Sequence, residues 1–327
     1  MLCKDAKGCC VLALGAVMVS ALVVDLSVGP LSWSRLWHGL WQGDPLAWQV
    51  VGTLRLPRVL LAAGVGGLLA WAGAVMQSLF RNPLADPGLI GVSASAGLGA
   101  VLLIALTAAS VSMQMLAAFV MAGGVLWGLY RLGTRHGVTD LAWLLLAGIA
   151  INAMASSGIG LSLYLSSDEA LRRVTWWLLG SFSAASWLMV GLVFTGLFVC
   201  VAATPWLTRA LDAWWLGESS AWQVGVAVQR IKLLSLALVA LAAALAVATS
   251  GMIGFVGLVG PHVARLLLGP GHRWLLPGAV LAGMSLTLLA DAAAHALLAP
   301  GELPVGLMLS ALGGPFFFAL LMRLRRV

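Results

Sequence analysis

Residues 59–80 run for 22 positions without a charge, as VLLAAGVGGLLAWAGAVMQSLF. A helix of about 20 such residues crosses the hydrocarbon core of a bilayer, so this one run removes most soluble folds from consideration. Further apolar runs fall near residues 9–28, 89–109, 113–132, 141–165, 187–205, 233–249, 253–268, 275–298 and 305–322. The expected fold is an all-α polytopic membrane protein with about ten transmembrane helices. Only 9% of the residues are charged, and no polar stretch is long enough for a soluble domain, so residues 1–327 are expected to form one transmembrane domain. The eighth run is the short one. Its roughly 16 residues rise about 24 Å, Pro261 interrupts it, and it needs neighbouring helices to shield it from lipid. The first run has no clear small-x-small cleavage site and reads as a spanning helix, not a signal peptide.

Basic residues set the orientation. With the N-terminus inside, the inner side holds thirteen of the eighteen: Lys4, Lys7, Arg81, Arg131, Arg135, Arg209, Arg230, Lys232, Arg265, Arg273, Arg323, Arg325 and Arg326. Both termini are therefore expected in the cytoplasm. Arg35, Arg55, Arg58, Arg172 and Arg173 remain outside, against the rule, which suggests work at the outer face. The net charge of +7 is no nucleic-acid signature, because the basic residues are scattered at the ends of apolar runs.

Two regions are expected to be long and non-helical. The outer one, residues 29–56, holds Trp33, Trp37, Trp41 and Trp48, suited to the membrane–water interface. The inner one, residues 208–232, is broken into short amphipathic pieces by Asp212, Gly217-Glu218 and Gly225, a pattern for docking a partner. Between these regions, Arg81, Asn82 and Pro83 end the 59–80 run in a turn that reads as structural.

Several chemistries are missing. There is no Gly-x-x-x-x-Gly-Lys-Ser/Thr loop, and the lysines are Lys4, Lys7 and Lys232 alone, so the chain has no phosphate cradle of its own. His-Glu-x-x-His and Gly-x-Ser-x-Gly are also absent, and no catalytic residue is expected. Cys3, Cys9, Cys10 and Cys200 have no metal-ligand spacing with a histidine, so they read as incidental thiols and no metal site is expected. Gradient-driven carriers place several ionisable groups at mid-membrane. The apolar runs offer little beyond Asp291, which favours a partner motor. An ion-gradient carrier and an intramembrane enzyme are the alternatives from other classes.

Some polar and small residues stand out within the runs. Gly251, Gly254, Gly257 and Gly260 recur every third residue and would form one glycine face on a helix. Asp291 and His295 lie four apart and share a helix face, which suggests a structural Asp–His or Asp–Arg pair. Gln77 and Asn152 face either a neighbouring helix or a cavity.

In this order the chain carries RLPR at 55–58, Gly73 and Gln77 in a small-residue helix, RNPLADPGLIG at 81–91, LLLAG at 144–148 and LGE at 216–218. There follow GMIGFVGLVGPHVARLLLG at 251–269, HRWLLPG at 272–278, LAD at 289–291 and ELPVG at 302–306. Jointly these blocks resemble the FecCD-type permeases of type II ABC importers for iron–siderophore complexes, haem and vitamin B12. The resemblance implies a multi-pass permease in the bacterial inner membrane that pairs with a second copy around a central pathway. Two cytoplasmic ATPase subunits, holding the ATP and magnesium, and a periplasmic substrate-binding protein would dock on it. No cofactor would be bound by this chain itself. Coupling to the ATPases would run through Leu211, Leu216, Gly217, Glu218, Ala221 and Gly225. The binding protein would dock through Arg55, Arg58, His295 and Glu302. The pathway, lined by the second, fifth and eighth helices, would include Gly73, Gln77, Asn152, Gly254 and Gly257. Many relatives carry an arginine where this chain has His295, so that either docking would rely more on Arg55 and Arg58, or His295 would give a weaker, pH-dependent docking contact or a haem contact. Haem and ferric siderophores lead as substrates, with vitamin B12 behind.

Overall fold

The structure is a computed structural model and describes residues 6–29, 31–107, 109–135, 138–298 and 301–324. Cys3, Lys4, Arg325 and Arg326, used above, lie outside the described residues. The helices are α1 (Ala6–Ser27), α2 (Trp33–Gln42), α3 (Pro45–Gln49), α4 (Leu56–Leu79), α5 (Val92–Leu106), α6 (Val111–Gly133) and α7 (Leu141–Leu165). They continue with α8 (Asp168–Leu178), α9 (Trp187–Trp215), α10 (Glu218–Gln223), α11 (Val228–Ser250), α12 (Val256–Leu268), α13 (His272–Leu297) and α14 (Val305–Leu324). A wider π turn over Val50–Arg55 joins α3 to α4, and two residues on each side of the α6–α7 turn pair as antiparallel strands.

Each apolar run coincides with a helix, and among the described residues seven of these helices are long and apolar enough to cross a membrane. Local chemistry sets the starts. The Asp140 carboxylate accepts from the Ala142 and Trp143 amides at the head of α7, and Ser110, Ser167 and Ser186 cap α6, α8 and α9 in the same way.

Four expectations need correction. Residues 29–56 are largely helical: Trp33, Trp37 and Trp41 recur every fourth residue and stack along α2 at 6.1 and 6.0 Å, so the tryptophans favour an interfacial helix over a loop. Residues 208–232 are also mainly helical, because α9 continues through Pro205 to Trp215 and α10 follows. The glycine face of the eighth run is only half built. Gly257 and Gly260 lie on α12, whereas Gly251 and Gly254 belong to the irregular segment before it, with Gly251 at φ +72° against the Trp177 carbonyl. Cys9 is disulfide-bonded, contrary to the incidental-thiol reading, while Cys10 and Cys200 are free.

The core is organised around α4. Its best apolar window is 94% buried by the chain itself, against 17% for α1, α6 and α7. It packs against α13, α9, α11 and α12, and glycines permit the approach. A Cβ on Gly66 would stand 2.4 Å from the Gly283 carbonyl oxygen, and one on Gly283 would stand 2.3 Å from the Gly66 oxygen. Two buried polar groups in this contact are paired: Trp71 Nε1–H donates to Thr204 at 3.0 Å, and Thr287 donates to the Ala62 carbonyl at 2.8 Å.

Candidate functional site

Two polar layers close the two ends of α4. At its start, Arg58 is nearly enclosed and binds Asp291 with both arms, Nε–H to Oδ2 at 2.9 Å and an NH2 proton to Oδ1 at 3.0 Å. Its third contact is to Glu302 at 2.8 Å, and Glu302 also meets His295 Nε2 at 3.1 Å. A planar guanidinium suits this bidentate geometry. Burial alone raises the Glu302 carboxyl, but the hydrogen bond and charge of Arg58, helped by His295, outweigh it and hold Glu302 below the usual carboxylate range. Such a group contributes stability above its unfolded pKa, and that contribution is lost as the pH falls through the folded value. The Asp–Arg pair anticipated for Asp291 is present, between α4 and α13.

Arg55 is buried too. It donates to the backbone carbonyls of Leu26 at 2.8 Å and Leu31 at 2.5 Å, tying the end of α1 and the start of α2 to α4. Both guanidinium groups of the RLPR motif are thus engaged within the chain. Asp25, at the end of α1, is 3% exposed and stands beside Asp291 and His295. Sequence reasoning passed over it, although an aspartate inside an apolar run is a readable signal.

At the other end, α9 turns into α10 through Gly217, whose φ of +127° and ψ of 154° suit glycine alone. Glu218 opens α10 and accepts from Lys232 Nζ at 2.8 Å, and the same ammonium donates to the Thr139 carbonyl at 3.1 Å. The Trp214 ring lies between Lys232 at 5.1 Å and Arg81 at 5.2 Å, and its indole N–H donates to the Leu79 carbonyl. Leu211 and Ala221 are fully buried and anchor this turn, while Leu216, Trp222 and Gly225 are exposed. Beside them opens a groove of about 800 Å³ lined by Glu218, Ser219, Trp222 and Gly225–Arg230. The Arg81-Asn82-Pro83 turn packs here as well, Asn82 Oδ1 accepting from the Leu84 amide at 2.9 Å.

The candidate pathway residues separate. Gly73 and Gly257 touch, a Cβ on Gly73 falling 1.9 Å from the Gly257 oxygen, and Gln77 is fully buried with its Nε2 3.4 Å from that oxygen. These three fill a contact between α4 and α12 inside the chain. Asn152 is half-buried and donates to the Gly88 carbonyl at 3.0 Å, and Gly254 is exposed.

Ser78, His272 and Asp212 form a hydrogen-bonded chain with both steps at 2.5 Å. Its order is that of a hydrolase triad, but Ser78 has no exposed surface and His272 almost none. A nucleophile that no substrate reaches performs no acyl transfer. The chain joins α4, α9 and α13.

A second cavity of about 420 Å³ lies between α6, α8 and α11, with Arg172, Arg173, Trp176, Trp177, Met189 and Gly251 among its walls.

The family model described as the FecCD transport family matches residues 13–323. The chain is 42% identical over 321 residues to the hemin transport system permease protein HmuU of Yersinia pestis, covering 96% of this chain and 93% of that one. It is 38% identical over 324 residues to the vitamin B12 import system permease protein BtuC of Escherichia coli O9:H4 (strain HS), covering 96% and 95%. A solved structure described as an inward-facing conformation of a metal-chelate type ABC transporter superposes with a TM-score of 0.87 at 32% identity, over 96% of this chain and 98% of that one. PsaBC from Streptococcus pneumoniae, in complex with Fab, shares the fold at a TM-score of 0.58 and 15% identity, over 88% and 94%.

Proposed function

The chain belongs to the FecCD transport family, and from that premise we propose that it is the membrane-spanning permease subunit of an ABC importer that carries haem into the cytoplasm. A second copy, two ATPase subunits and a periplasmic binding protein complete the assembly, in the bacterial inner membrane with both termini cytoplasmic. The α10 turn and its groove are the ATPase-facing surface. Exposed Leu216 and Trp222 outside an apolar span favour burial against a partner.

The observation that carries haem is the cavity holding Arg172, Arg173, Trp176 and Trp177. Haem is a flat aromatic macrocycle bearing two carboxylates, and paired guanidinium groups beside indole rings match both properties. The 42% identity to a hemin permease supports the same reading. Vitamin B12 is the second reading, favoured by the 38% identity to a vitamin B12 permease. Docking of the binding protein involves Arg55, Arg58, His295 and Glu302. A partner carboxylate reaches Arg58 only if Glu302 moves aside, since Glu302 now covers it.

The test is uptake and ATP hydrolysis in proteoliposomes with the cognate ATPase and binding protein. Haem is expected to stimulate hydrolysis and accumulate inside, and replacing both Arg172 and Arg173 by alanine should lower haem uptake at least about tenfold, equivalent to about 1.4 kcal/mol. Stimulation by cobalamin alone would replace haem by the second reading. Uptake that persists without the ATPase would overturn the permease reading itself.

Coupling has its own test. Gly217→Ala forces a side chain into a backbone region costing about 1–3 kcal/mol. Hydrolysis should continue in that variant while uptake falls at least about tenfold. Unchanged uptake would remove the coupling role of the turn.

A further inference from the structure

The Arg58 layer carries more negative charge than it balances. Asp25, Asp291 and Glu302 contribute three carboxylates, and Arg58 is the permanent cation among them. Arg55, at the same end of the bundle, is committed to the Leu26 and Leu31 carbonyls. Asp25 is the anomaly: it is 3% exposed, and neither of its oxygens has a hydrogen-bond partner among the described residues. A buried carboxylate without a partner is strongly disfavoured. The Nδ1 atom of His295 is likewise enclosed and without a partner among the described residues. Its other nitrogen, Nε2, faces Glu302. With the ring neutral, Nε2–H donates to that carboxylate and leaves a bare lone pair on Nδ1. One ligand atom from each of Asp25, Asp291 and His295 lies within 4.8 Å of the others.

We propose that Asp25, Asp291 and His295 form a binding site for a divalent transition-metal ion of the zinc class, with Glu302 orienting the histidine. The charge balance closes, because two positive charges cancel the two that Arg58 leaves over when the imidazole is neutral. The arrangement is the one metal-bound histidines adopt, one nitrogen on the metal and the other donating to a carboxylate that fixes the tautomer. An imidazole with two carboxylates suits zinc, cobalt or iron(II) better than magnesium or calcium, which prefer oxygen alone. Tetrahedral bonds of about 2.0–2.2 Å set ligand atoms about 3.3–3.6 Å apart, so a contraction of up to about 1.5 Å from the 4.8 Å separation completes the site. Asp291 retains lone pairs beyond those used by Arg58, since a carboxylate accepts about four hydrogen bonds. The bound ion would fasten the end of α1 to α13. Metal-ligand spacing along the chain gives no hint of this, because Asp25 reaches the other two ligands only through the fold.

The test uses the full chain purified in detergent, stripped with a chelator, then titrated with Co²⁺ and Zn²⁺ while Co²⁺ absorption and retained metal are read. One ion per chain is expected, with a cobalt spectrum of low coordination number that zinc abolishes and magnesium leaves unchanged. Asp25→Asn and His295→Ala should each weaken binding by at least about tenfold, and Glu302→Ala by about 10–100-fold, the usual range for a group that orients a ligand. Asp25→Asn keeps the shape of the side chain, so it reports on ligation even if His295→Ala fails to fold. Metal binding equal in the native chain and Asp25→Asn would overturn the proposal. So would a stripped chain that takes up no ion, the result expected if a proton shared by Asp25 and His295 resolves the cluster instead.

Discussion

Arg58→Met is expected to destabilise the folded chain by about 3–5 kcal/mol, the cost of leaving a buried carboxylate without its partner. Asp291 is 1% exposed, and Asp25 and Glu302 stand close enough to add repulsion. Much of this cost comes from the abandoned anion, so removing that anion as well should recover much of it. The double variant Arg58→Met/Asp291→Leu should therefore melt well above Arg58→Met alone, while Asp291→Leu alone leaves an unpaired guanidinium and is also destabilised. Thermal melting of the four proteins in detergent, followed by size-exclusion chromatography, reads the cycle. If Arg58→Met melted with the native chain, the ion cluster would have no structural role, and Arg58 would be free for docking. The cycle also guards against a misreading. Loss of partner binding after Arg58→Glu would say little about docking, because that change places another carboxylate in an already acidic layer.

The second large effect is expected at Gly73. Even Gly73→Ala places a Cβ 1.9 Å from the Gly257 carbonyl, and what it meets is backbone, which cannot rotate aside. Overpacking a tight core costs about 1–3 kcal/mol for side chains that can yield. Here α12 has to separate from α4, so the loss should lie at or above the top of that range. Gly123→Ala on α6 is the internal control, since nothing lies within 4 Å of its added Cβ. That variant should be neutral or slightly stabilising, alanine being favoured in a helix by about 1 kcal/mol. Equal melting of Gly73→Ala and Gly123→Ala would mean that α4 and α12 are not in close contact.

The helices were legible because each needs a long apolar run, and the two ends of α7 fall where residues 141–165 place them. Partnership among the helices was not. A helix that is apolar on every side shows no stripe to tell a protein-facing surface from a lipid-facing one. This is why composition alone does not mark α4 as the enclosed centre of the chain. Its glycines were noticed, but their spacing alone cannot distinguish a flexible segment from one pressed against another backbone. The charge layer around Arg58 was half legible. Asp291 and His295 share one helix and announce each other, whereas Asp25 and Arg58 join them only through packing. At the α10 turn, Gly217-Glu218 was visible, and Lys232 registered only as one of the charges near the membrane face. Its bond to Glu218 spans 14 residues of chain and follows from the path of α9 into α11.

The enclosure of α4 also bears on how one scaffold serves different cargoes. On the import reading proposed above, a helix covered by its own chain has little surface left to meet what is carried, and most of its positions answer to a neighbouring helix. On that reading, discrimination between one chelate and another falls to the sparsely covered helices, α6 and α7 among them, and to α8 with its arginines. Relatives that carry different cargo should agree most closely along α4, α12 and α13 and differ along those outer faces. Grafting the outward residues of α6, α7 and α8 from one relative onto the inner helices of another would then transfer cargo preference and leave the architecture as it was.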